Sequence, residues 1–578
     1  MNKDLIIEVL ENIGRLLELK GENGFKVRAY VNGARALESS SEDLAKVIDE
    51  GRLGEIDGIG KALEEKITTL FRDGQLDYYD ELRSEFPPDI FTLFELRGVG
   101  PKKIKLLFDK LGISSVSALT RACADGRVAD LEGFGEKTAA NIATAIEERK
   151  RNAGVFTMRD VEGIARRLLD DFRGHPEVLL AEIAGSYRRG KETLHDLDLI
   201  VASAAPGVVS QDFVEHELVE SVLAQGPTKS SVRLLSGIQC DLRVVSNAEY
   251  PFALNYFTGS KEHNVRMRSR ALERGWSLNE YRFSEARGKA RTEEIPDVRQ
   301  ESELYRALGL EYVPPELRED RGEFDAAEAG ALPKLIEWHN LRGTFHNHTT
   351  ASDGRASLEQ MAEAAQELGL EYLGIADHSK SSVQANGLDA KRLAAQGKAI
   401  DKLNAADGGF RVFKGVECDV LKDGTLDLSD EVLDALDYVV ASIHGSLQLD
   451  EAAMTKRIIK AISNPRVTML GHLTGRLLTT RAPYAVNVPA VIEAAAEMGT
   501  IIELNCNPRR LDLDWRWWPL AKEKGVKCSI NPDAHSTQGL QDLVFGVRIA
   551  RKGWLTRDDV VNCLGLGKIE KVLRRSAK

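Results

Sequence analysis

The sequence feature that most constrains the fold is a glycine motif that occurs three times near the start of the chain. Each copy reads apolar-x-Gly-apolar-Gly and continues into a helical stretch: IDGIGKALEEKI at 56–67, LRGVGPKKIKLL at 96–107 and LEGFGEKTAANI at 131–142. Glycine permits a tight turn, and a helix that begins there has free backbone N–H groups at its start. One copy could equally be a plain helical hairpin. Three copies predict a helical region with backbone sites for phosphate at Gly58, Gly60, Gly98, Gly100, Gly133 and Gly135.

The repeats resemble the helix-hairpin-helix motifs of DNA-repair proteins. This resemblance implies contact with the DNA backbone that does not depend on base sequence. The formal net charge is -12, which argues against a protein that coats DNA through a uniformly basic surface. Contact with DNA should therefore be local. The basic run at 261–274 is a further local candidate, although a solvated helix face is the simpler explanation of that run.

The residue composition of the sequence changes twice after the repeats. Short runs rich in β-forming residues begin near residue 178, and a Pro-Pro pair at 314–315 precedes an acidic, alanine-rich segment that is typical of a linker. Beyond this segment, strand-like runs such as YLGIADH and YVVASIHG alternate with helical stretches. This alternation predicts parallel β/α units that close as a barrel.

Three aspartates form the first candidate catalytic cluster. Asp196 and Asp198 lie two apart in the strand-like run DLDLIV, so both carboxylates should project from one face of a sheet, and Asp241 lies in a later strand-like run. Neighbouring carboxylates repel each other unless a hard divalent cation such as Mg²⁺ binds between them. Two such cations could activate a 3′-hydroxyl and stabilise a leaving pyrophosphate. For DLDL alone, acids on the wet face of an exposed strand would be the simpler explanation.

The sequence around these aspartates resembles the nucleotidyltransferase signature of family X DNA polymerases. GSYRRG precedes DLD at 196–198, and YFTGSKEHNVRMR at 256–268 resembles the family's motif for the incoming nucleotide. The resemblance covers roughly residues 1–318 and implies that two Mg²⁺ or Mn²⁺ ions bind Asp196, Asp198 and Asp241. Asp241 would also take the proton of the primer hydroxyl.

The same resemblance implies a set of nucleotide and DNA contacts. Gly185 allows a close approach of the backbone, and arginine donors such as Arg188 suit a triphosphate. The implied contacts are Ser186 and Arg189 at the triphosphate, Tyr256, Phe257 and Gly259 at the sugar, Asn264 at the base edge, and Arg268 at the template strand.

A lyase activity is a further expectation for the first hairpin. In related animal enzymes a lysine of this hairpin forms a Schiff base with an abasic sugar, and Lys66 matches its position. Such a lysine needs a lowered pKa, through burial or a neighbouring cation. Ala62 stands where those relatives carry a second lysine, which removes one such neighbour. Lyase chemistry and a solvated helix lysine both remain open for Lys66.

The C-terminal half carries a second candidate metal cluster. His346 and His348 lie two apart in TFHNHT, and neutral imidazoles in this geometry are ready metal ligands. A single histidine would more simply be a hydrogen-bonded core residue. Further ligand types follow, most of them at or just past the end of an apolar run, where β/α barrels form their active sites: Asp353, His378, Glu417, His444, His472, Asp533 and His535.

The order of these ligands resembles the polymerase and histidinol phosphatase (PHP) family, whose distorted β/α barrel holds up to three metal ions. The resemblance implies Mn²⁺ and/or Zn²⁺ and a metal-bound hydroxide that attacks phosphorus, and the mixed ligand set does not choose between these metals. Bacterial enzymes that join a family X polymerase to a PHP domain are similar over nearly the full length of this chain. By this resemblance the PHP domain would be a 3′-5′ exonuclease, with abasic-site cleavage and 3′-phosphate removal as further candidate activities.

The predicted fold class is multidomain α+β and α/β. The expected order is a helical domain with the first hairpin, a helical fingers-type domain with two hairpins, a palm with a mixed sheet, a small thumb, a linker and a PHP barrel. The corresponding ranges are 1–82, 83–155, 156–246, 247–318, 319–337 and 338–578.

The leading hypothesis is a DNA-directed DNA polymerase that fills short gaps in repair and trims 3′ ends. Its substrates would be dNTPs and gapped or 3′-recessed DNA. The alternative is a DNA-binding repair scaffold with a PHP domain that hydrolyses small phosphomonoesters; the intact aspartate cluster counts against an inert polymerase half. Because no apolar run reaches the ~18 residues of a membrane helix and the N-terminus resembles no signal or transit peptide, we expect a cytoplasmic protein without membrane contact. The sequence does not determine the oligomeric state, and a monomer is the favoured expectation.

Overall fold

The described part of the chain begins with helices alone and contains sheets only from Phe156 onward, as the changes in residue composition predict. The computed structural model describes residues 3–39, 44–56, 58–94, 96, 98–151, 153–287, 294–406 and 409–573. Two compact units divide the chain, Met1–Ala153 and Gly154–Lys578. Within the described ranges, no helix is both long and apolar enough to cross a membrane. All six cysteines are free thiols.

The first unit is helical throughout its described residues, apart from turns and short 3₁₀ segments. Its helices are α1 Lys3–Lys20, α2 Gly24–Ser39, α3 Leu44–Asp49, α4 Lys61–Asp73, α5 Asp77–Ser84, α6 Phe91–Phe94, α7 Pro101–Leu111, α8 Val116–Ala124 and α9 Gly135–Arg151. In α1, the buried residues Ile6, Leu10, Ile13 and Leu17 recur at helical spacing. This spacing places them on one face, which packs into the core of the unit.

The second unit begins with a five-stranded mixed sheet. The elements of this region are β1 Phe156–Thr157, α10 Met158–Arg173, β2 Leu180–Ile183, α11 Gly185–Arg188, β3 Thr193–Leu194, β4 Asp196–Ala202, α12 Pro206–Val214, β5 Val219–Ala224, β6 Lys229–Leu234 and β7 Gln239–Val245. The strand order is β2-β4-β7-β6-β5, with β4 and β7 parallel and the other neighbours antiparallel. Leu197 and Leu199 of β4 are buried in the core beneath the sheet.

A smaller, mainly helical region follows the sheet. Its elements are α13 Tyr250–Thr258, α14 Lys261–Glu273, β8 Trp276–Leu278, β9 Phe283–Glu285, α15 Glu301–Ala307 and α16 Glu323–Glu328. The segment 319–337, which composition predicts as a linker, contains α16 and contributes Phe324 to the core of this region. Composition is misleading here because two acids of the segment are not solvated. Glu323 is buried against His263, and Glu319 lies 2.8 Å from the buried Nζ of Lys552.

Parallel β/α units form the C-terminal half, as the alternating pattern predicts. Its strands are β10 Gly343–Asn347, β11 Tyr372–Ile375, β12 Arg411–Lys414, β13 Glu417–Asp419, β14 Val440–Ser442, β15 Met469–Leu470, β16 Ile501–Asn505 and β17 Cys528–Asn531. Its helices are α17 Leu358–Glu367, α18 Ala390–Ala406, α19 Asp430–Leu433, α20 Glu451–Ile462, α21 Val488–Met498, α22 Trp518–Glu523, α23 Leu543–Lys552 and α24 Leu566–Leu573.

These strands run parallel and in chain order within two sheets, β10-β11-β12 and β13-β14-β15-β16-β17. Isolated parallel bridges join the sheets, between His378 and Glu417 on one side and between Asn347 and Ala534 on the other. The bridges close the strands into a distorted β/α barrel, so loops at the carboxyl ends of the strands meet on one side. The multidomain α+β and α/β fold class is confirmed.

Candidate active sites

In each glycine hairpin of the first unit, the turn is exposed and one apolar residue of the turn is buried. In each copy the residue between the two glycines, Ile59, Val99 or Phe134, is buried, whereas both glycines are exposed. The first glycines have positive φ angles of 95°, 78° and 90° in chain order, which favour glycine. Gly60 and Gly100 are the N-caps of α4 and α7, and in the third copy α9 begins at the second glycine itself. Free backbone N–H groups thus lie at exposed turns.

The three aspartates of the mixed sheet lie on two neighbouring strands. Asp196 and Asp198 are in the first half of β4, and Asp241 of β7 is the direct partner of Asp198 in the parallel register. Gln239 Nε2 donates a hydrogen bond of 2.9 Å to Asp241 Oδ1. The sheet therefore brings together three carboxylates that lie apart in the sequence.

The electrostatics of this cluster favour a bound cation. Burial raises the pKa of Asp198 to about 7, and the charges of Asp196 and Asp241 add to the shift. Burial and the charge of Asp241 also raise the pKa of Asp196. A divalent cation would relieve this repulsion, and carboxylates of this kind are ligands that Mg²⁺ and Mn²⁺ accept. The residues present therefore fit a metal-binding role.

Gly185 packs directly against the aspartate cluster. It opens α11 with a left-handed φ of 60°. A Cβ added at this position would overlap Asp198 Oδ2 and lie 3.2 Å from Asp198 Cγ. The close backbone approach predicted from the sequence is thus made to a carboxylate, and half-buried Ser186 follows in the same short helix.

Arg188 and Arg189 are paired with carboxylates of the region that follows the sheet. Arg188 Nη2 lies 3.0 Å from Glu301 Oε2, and Arg189 Nε lies 2.9 Å from Glu319 Oε1. Arg189 Nη1 also donates to the carbonyl oxygen of Thr258 at 2.8 Å. Sequence inspection missed both carboxylate partners because they lie far along the chain. The pairs orient the two guanidinium groups that we predict to serve a triphosphate.

The residues predicted to contact the sugar and the base surround the turn between α13 and α14. The rings of Tyr256 and Phe257 have centroids 5.1 Å apart. Asn264 Nδ2 donates to the carbonyl oxygens of Tyr256 at 2.7 Å and Gly259 at 3.2 Å. The amide nitrogen of Asn264 therefore stabilises this turn, and a base-edge contact would have to use its oxygen.

The basic run at 261–274 forms α14 and is partly neutralised inside the protein. Arg270 Nη2 lies 2.9 Å from Glu328 Oε1, and Arg266 Nη2 lies 3.8 Å from Asp325 Oδ1. Arg268, the predicted template contact, is half-buried on the same helix. Acidic residues of α16 and its neighbours thus neutralise part of the positive charge that the sequence suggested for DNA binding.

Lys66 lies beside an aromatic pair in the first unit. Its Nζ is 5.2 Å from the ring centroid of Tyr78, and the Nζ of Lys26 is 5.8 Å from the same centroid. Tyr30 stacks on Tyr78. Lys26 therefore supplies a second cation near Lys66, which the comparison of the hairpin motif alone did not reveal. The lyase expectation remains a prediction.

All nine candidate ligands of the C-terminal half come together at the ends of the parallel strands. They form four overlapping groups whose ligand atoms lie within 4.8 Å of one another. The groups are His348, Asp353, His378 and His535; His346, Glu417 and His472; His346, His348 and Asp533; and His378, Glu417 and His444. Overlapping groups of this kind could hold more than one metal ion.

Glu417 lies at the centre of this cluster. Its Oε1 is 3.2 Å from Nε2 of His346, 3.1 Å from Nε2 of His444 and 2.9 Å from Nε2 of His472. Burial by itself would raise the pKa of Glu417, but His444, His378 and His346 hold that pKa well below its ordinary value. Glu417 is therefore ionised and can bridge cations.

Several buried ligand atoms have no hydrogen-bond partner among the described residues. They include His348 Nδ1 and His472 Nδ1. His346 Nε2, His378 Nδ1 and Glu417 Oε2 also lack hydrogen-bond geometry, although His346 Nε2 lies 3.2 Å from Glu417 Oε1 and His378 Nδ1 lies 2.7 Å from Glu417 Oε2. A buried polar atom without a partner is costly, and a metal ion would satisfy these imidazole and carboxylate atoms together. The donor set fits Mn²⁺ or Zn²⁺.

Backbone strain and the lowered pKa of His348 both support a metal-binding role for the cluster. His346, His472 and Asp533 have φ angles of 57°, 21° and 52°, a conformation that is uncommon outside glycine and clusters at functional sites. Burial, followed by the charges of His535 and His378, lowers the pKa of His348 to about 4. The His348 imidazole is thus neutral at neutral pH, as a metal ligand must be. Against the effect of burial, Glu417 raises the pKa of His444 to about 10 and Asp353 raises that of His535 to about 9, so a metal ion would displace protons from these two rings.

Sequence inspection missed two carboxylates that contact the ligands from behind. Glu503 Oε1 lies 2.6 Å from His346 Nδ1, and Asp419 Oδ1 lies 2.6 Å from His444 Nδ1. Such carboxylates orient ligating imidazoles and raise their basicity. Both acids lie within apolar runs, IIELN and GVECDV, and this position was a usable signal because a buried acid needs a partner.

Comparison with family models matches four parts of the chain. A helix-hairpin-helix domain matches residues 1–76, a SAM-like helix-hairpin-helix tandem matches 91–148, a DNA polymerase beta thumb matches 253–319, and a PHP domain matches 344–505. The matches follow the order of the helical unit, the region after the mixed sheet and the parallel barrel.

Among curated proteins, the chain is similar to a Bacillus subtilis (strain 168) protein named DNA polymerase/3′-5′ exonuclease PolX. The identity is 39% over 578 residues, which is 100% of both chains. A "probable phosphatase" of Thermoanaerobacter sp. (strain X514) is 28% identical over 245 residues, 40% of this chain and 94% of that protein. A second, from Caldanaerobacter subterraneus, is 31% identical over 204 residues, 33% of this chain and 74% of that protein.

Proposed function

The chain belongs to the PolX family of DNA polymerases/3′-5′ exonucleases, and we propose that its two ligand clusters are the two active sites of one DNA-repair enzyme. It is a DNA polymerase and a 3′-5′ exonuclease. The observation that carries the assignment of sites is the presence of two separate sets of candidate metal ligands, one on the mixed sheet and one in the barrel. Both chemistries suit one substrate, a gapped or 3′-recessed duplex.

The polymerase site is the face of β4 and β7 that carries Asp196, Asp198 and Asp241. Bound Mg²⁺ or Mn²⁺ would activate the primer hydroxyl and neutralise the leaving pyrophosphate. Asp241 would accept the hydroxyl proton, while Ser186 and Arg189 bind the triphosphate of the incoming dNTP. The pairing of Arg189 with Glu319 at 2.9 Å supports this role because it orients the guanidinium before the nucleotide arrives.

The exonuclease site is the nine-residue cluster of the barrel. Bound Mn²⁺ or Zn²⁺, up to three ions, would supply a hydroxide and polarise the scissile phosphate. Glu417 would be among the ligands that hold the ions, while Glu503 and Asp419 hold the rings of His346 and His444 in place. Abasic-site cleavage and 3′-phosphate removal would use the same attack of hydroxide on phosphorus, at an internal phosphodiester and at a 3′-terminal phosphate respectively.

DNA binding would rest on backbone contacts of the first unit. Exposed glycine turns with free N–H groups bind phosphates without reading bases, which suits an enzyme that acts on gaps in any sequence. We propose that the subdomain boundaries follow the ranges predicted above, except that residues 319–337 belong with the region after the mixed sheet, whose core includes Phe324. We also propose that the enzyme works in the cytoplasm on repair intermediates.

A repair scaffold with a small-molecule phosphatase is the weaker candidate. The aspartate cluster gives the polymerase half a chemistry of its own, and repulsion within it is relieved only by a cation or a proton. Turnover of histidinol phosphate, compared with digestion of a 3′-recessed duplex, separates the two substrates for the PHP domain.

The test is primer extension and 3′ digestion on a duplex with a one-nucleotide gap, in the presence of Mn²⁺. Three proteins are compared: wild type, Asp196→Ala with Asp198→Ala, and His346→Ala with His348→Ala. Asp297→Ala and His339→Ala are matched controls, because the side chains of Asp297 and His339 are 76% and 73% exposed. Neither control should change either activity.

We expect the aspartate variant to lose extension alone and the histidine variant to lose digestion alone. Retention of extension without Asp196 and Asp198 would refute the polymerase site, and retention of digestion without His346 and His348 would refute the exonuclease site.

A further inference from the structure

One helix of the barrel packs against the GSYRRG loop of the polymerase site. Helix α23 follows the candidate ligands Asp533 and His535 in the chain and ends at Lys552. Arg548 Nη1 of this helix lies 2.7 Å from Glu162 Oε2, which also accepts a 2.9 Å hydrogen bond from the hydroxyl of Tyr187. The Arg548 guanidinium lies 4.9 Å from the Tyr187 ring centroid. The loop therefore has a support from the exonuclease domain.

The turn at the end of the loop leaves little room between the two domains. Gly190 has a left-handed φ of 66°. A Cβ added there would lie 3.7 Å from the carbonyl oxygen of Arg548 and 3.8 Å from Glu316 Cγ. The gap between the backbone after Arg189 and α23 would thus just accommodate a methyl group.

Lys552, the last residue of α23, contacts Arg189 directly and also through Glu319. Its side chain is fully buried. Its Nζ donates to the carbonyl oxygen of Arg189 at 3.0 Å and to Glu319 Oε1 at 2.8 Å. The same Glu319 oxygen lies 2.9 Å from Arg189 Nε. One carboxylate oxygen therefore connects the ammonium of the exonuclease domain to the guanidinium of the polymerase site.

The contacts of Lys552 explain how a buried lysine is tolerated. Nζ also donates to the carbonyl oxygen of Glu316 at 3.3 Å and lies 4.5 Å from the ring centroid of Trp515. Burial lowers the pKa of Lys552 to about 8, against the opposing charge of Glu319. Burial would raise the pKa of Glu319, but Lys552 and Arg189 hold it at about 2. Both groups are thus ionised at neutral pH, and the Glu319 carboxylate attracts the Lys552 ammonium and the Arg189 guanidinium together.

We propose that Lys552 of the PHP domain is a positioning residue of the polymerase site. It holds the backbone of Arg189 directly and its guanidinium through Glu319, in the orientation that binds the triphosphate of the incoming dNTP. The proposal rests on the proposed role of Arg189 in the polymerase. It makes nucleotide binding dependent on the exonuclease domain without any exonuclease chemistry.

The experiment uses the full-length enzyme and the variant Lys552→Met, which removes the terminal ammonium group and its charge and keeps an unbranched side chain of nearly the same length. Extension across a one-nucleotide gap is measured over a range of dNTP concentrations. We expect KM for dNTP to rise by about tenfold or more, since one charge-assisted hydrogen bond contributes that much to affinity. The kcat should change much less, and 3′ digestion should stay at the wild-type rate.

The matched control is Lys524→Met. Lys524 is also a lysine of the barrel in an ion pair, 3.2 Å from Glu493 Oε1, but its side chain is 38% exposed. It should leave both activities unchanged. If Lys552→Met lowers extension and digestion equally, Lys552 supports the fold in general and the proposal is overturned.

Two further variants separate the proposal from its premise. Arg189→Ala should raise KM for dNTP, and combining it with Lys552→Met should add little, because both changes act through one guanidinium. If Arg189→Ala leaves KM unchanged, the triphosphate role of Arg189 fails. If Arg189→Ala raises KM and Lys552→Met does not, only the positioning role of Lys552 fails.

Glu319→Gln keeps the test decisive if Lys552→Met does not fold. It leaves both basic residues in place and removes the charge that connects them. A rise in KM for dNTP with unchanged digestion supports the connection, and a wild-type KM overturns it.

Discussion

Replacing Gly185 with alanine should disable the polymerase by displacing Asp198. The new Cβ would overlap Asp198 Oδ2 and lie 3.2 Å from its Cγ and 3.6 Å from its Cβ. Van der Waals separation from the oxygen requires a shift of roughly 1 Å, which the short side chain can make by rotating. The left-handed φ of 60° adds about 1–2 kcal/mol of strain for an alanine. The fold should therefore tolerate the change, but the carboxylate should leave its position.

The expected loss of activity follows from that displacement. A misplacement of about 1 Å in a catalytic group lowers the rate by about 100-fold, which corresponds to about 2.7 kcal/mol in the activation free energy. Single-turnover extension of a gapped duplex at saturating dNTP measures this rate directly. Digestion of 3′ ends by the same protein should remain at the wild-type rate, because the nine-residue cluster lies in the barrel.

Gly163→Ala is the matched control. Gly163 lies within α10, and a Cβ there would meet no atom within 4 Å, so extension should stay at the wild-type rate. The protein should gain up to about 1 kcal/mol of stability from the better helix propensity of alanine. If Gly185→Ala extends primers within threefold of the wild-type rate, Gly185 does not constrain Asp198, and our account of the loop is refuted.

Three further predictions concern stability. Glu301→Gln should lower the free energy of unfolding by about 3–5 kcal/mol in a urea titration, because fully buried Arg318 loses its charged partner; an effect as small as that of exposed Asp297→Asn would contradict this. Burial would raise the pKa of Glu301, but Arg318 and Arg188 lower it from 4.5 to about 2. The stabilisation that Glu301 provides should thus be complete above pH 4.5 and be lost as pH falls to about 2. The free energies of unfolding of wild type and Glu301→Gln should therefore converge over that pH range, and a constant difference would refute the pairing. Mn²⁺ at a hundred times its Kd for the barrel cluster should stabilise the wild type by about 2.7 kcal/mol through that cluster, measured as a rise in Tm that is smaller in His346→Ala with His348→Ala. An equal rise in the variant would exclude the barrel cluster.

The contacts of α23 bear on how two activities can share one chain. The helix follows the ligands Asp533 and His535 and reaches the loop that contains Arg189. Any change in the barrel that moves this helix would reach the nucleotide-binding loop, because packed elements transmit displacements with little compression. The kinetic comparison of Lys552→Met with wild type measures this mechanical link, separately from competition between the two sites for a primer end.

The candidate residues of both proposed active sites could be selected from the sequence because the selection depends on residue type and local spacing. Asp196 and Asp198 lie two apart in a strand, and a strand places such residues on one face wherever it packs. His346, His378 and Asp533 lie at or just past strand ends, and the carboxyl ends of parallel strands meet whatever their loops contain. Local pattern and fold topology were sufficient for these residues.

The partners of the functional residues could not be predicted in the same way. Glu301 and Glu319 lie more than a hundred residues after the arginines they bind. Lys552 at the end of α23 looks in sequence like an ordinary basic residue of a last helical turn. The segment after Pro315 is typical of a linker by composition, yet it contains the buried Phe324.

Local spacing thus determined which residues we propose as ligands of metals and phosphates, since periodicity acts over a few residues and can be read directly from the sequence. The tertiary structure alone decided which charges neutralise one another. Electrostatic attraction depends on distance in space and on burial, and no local pattern records that Lys552, Glu319 and Arg189 meet around one carboxylate oxygen.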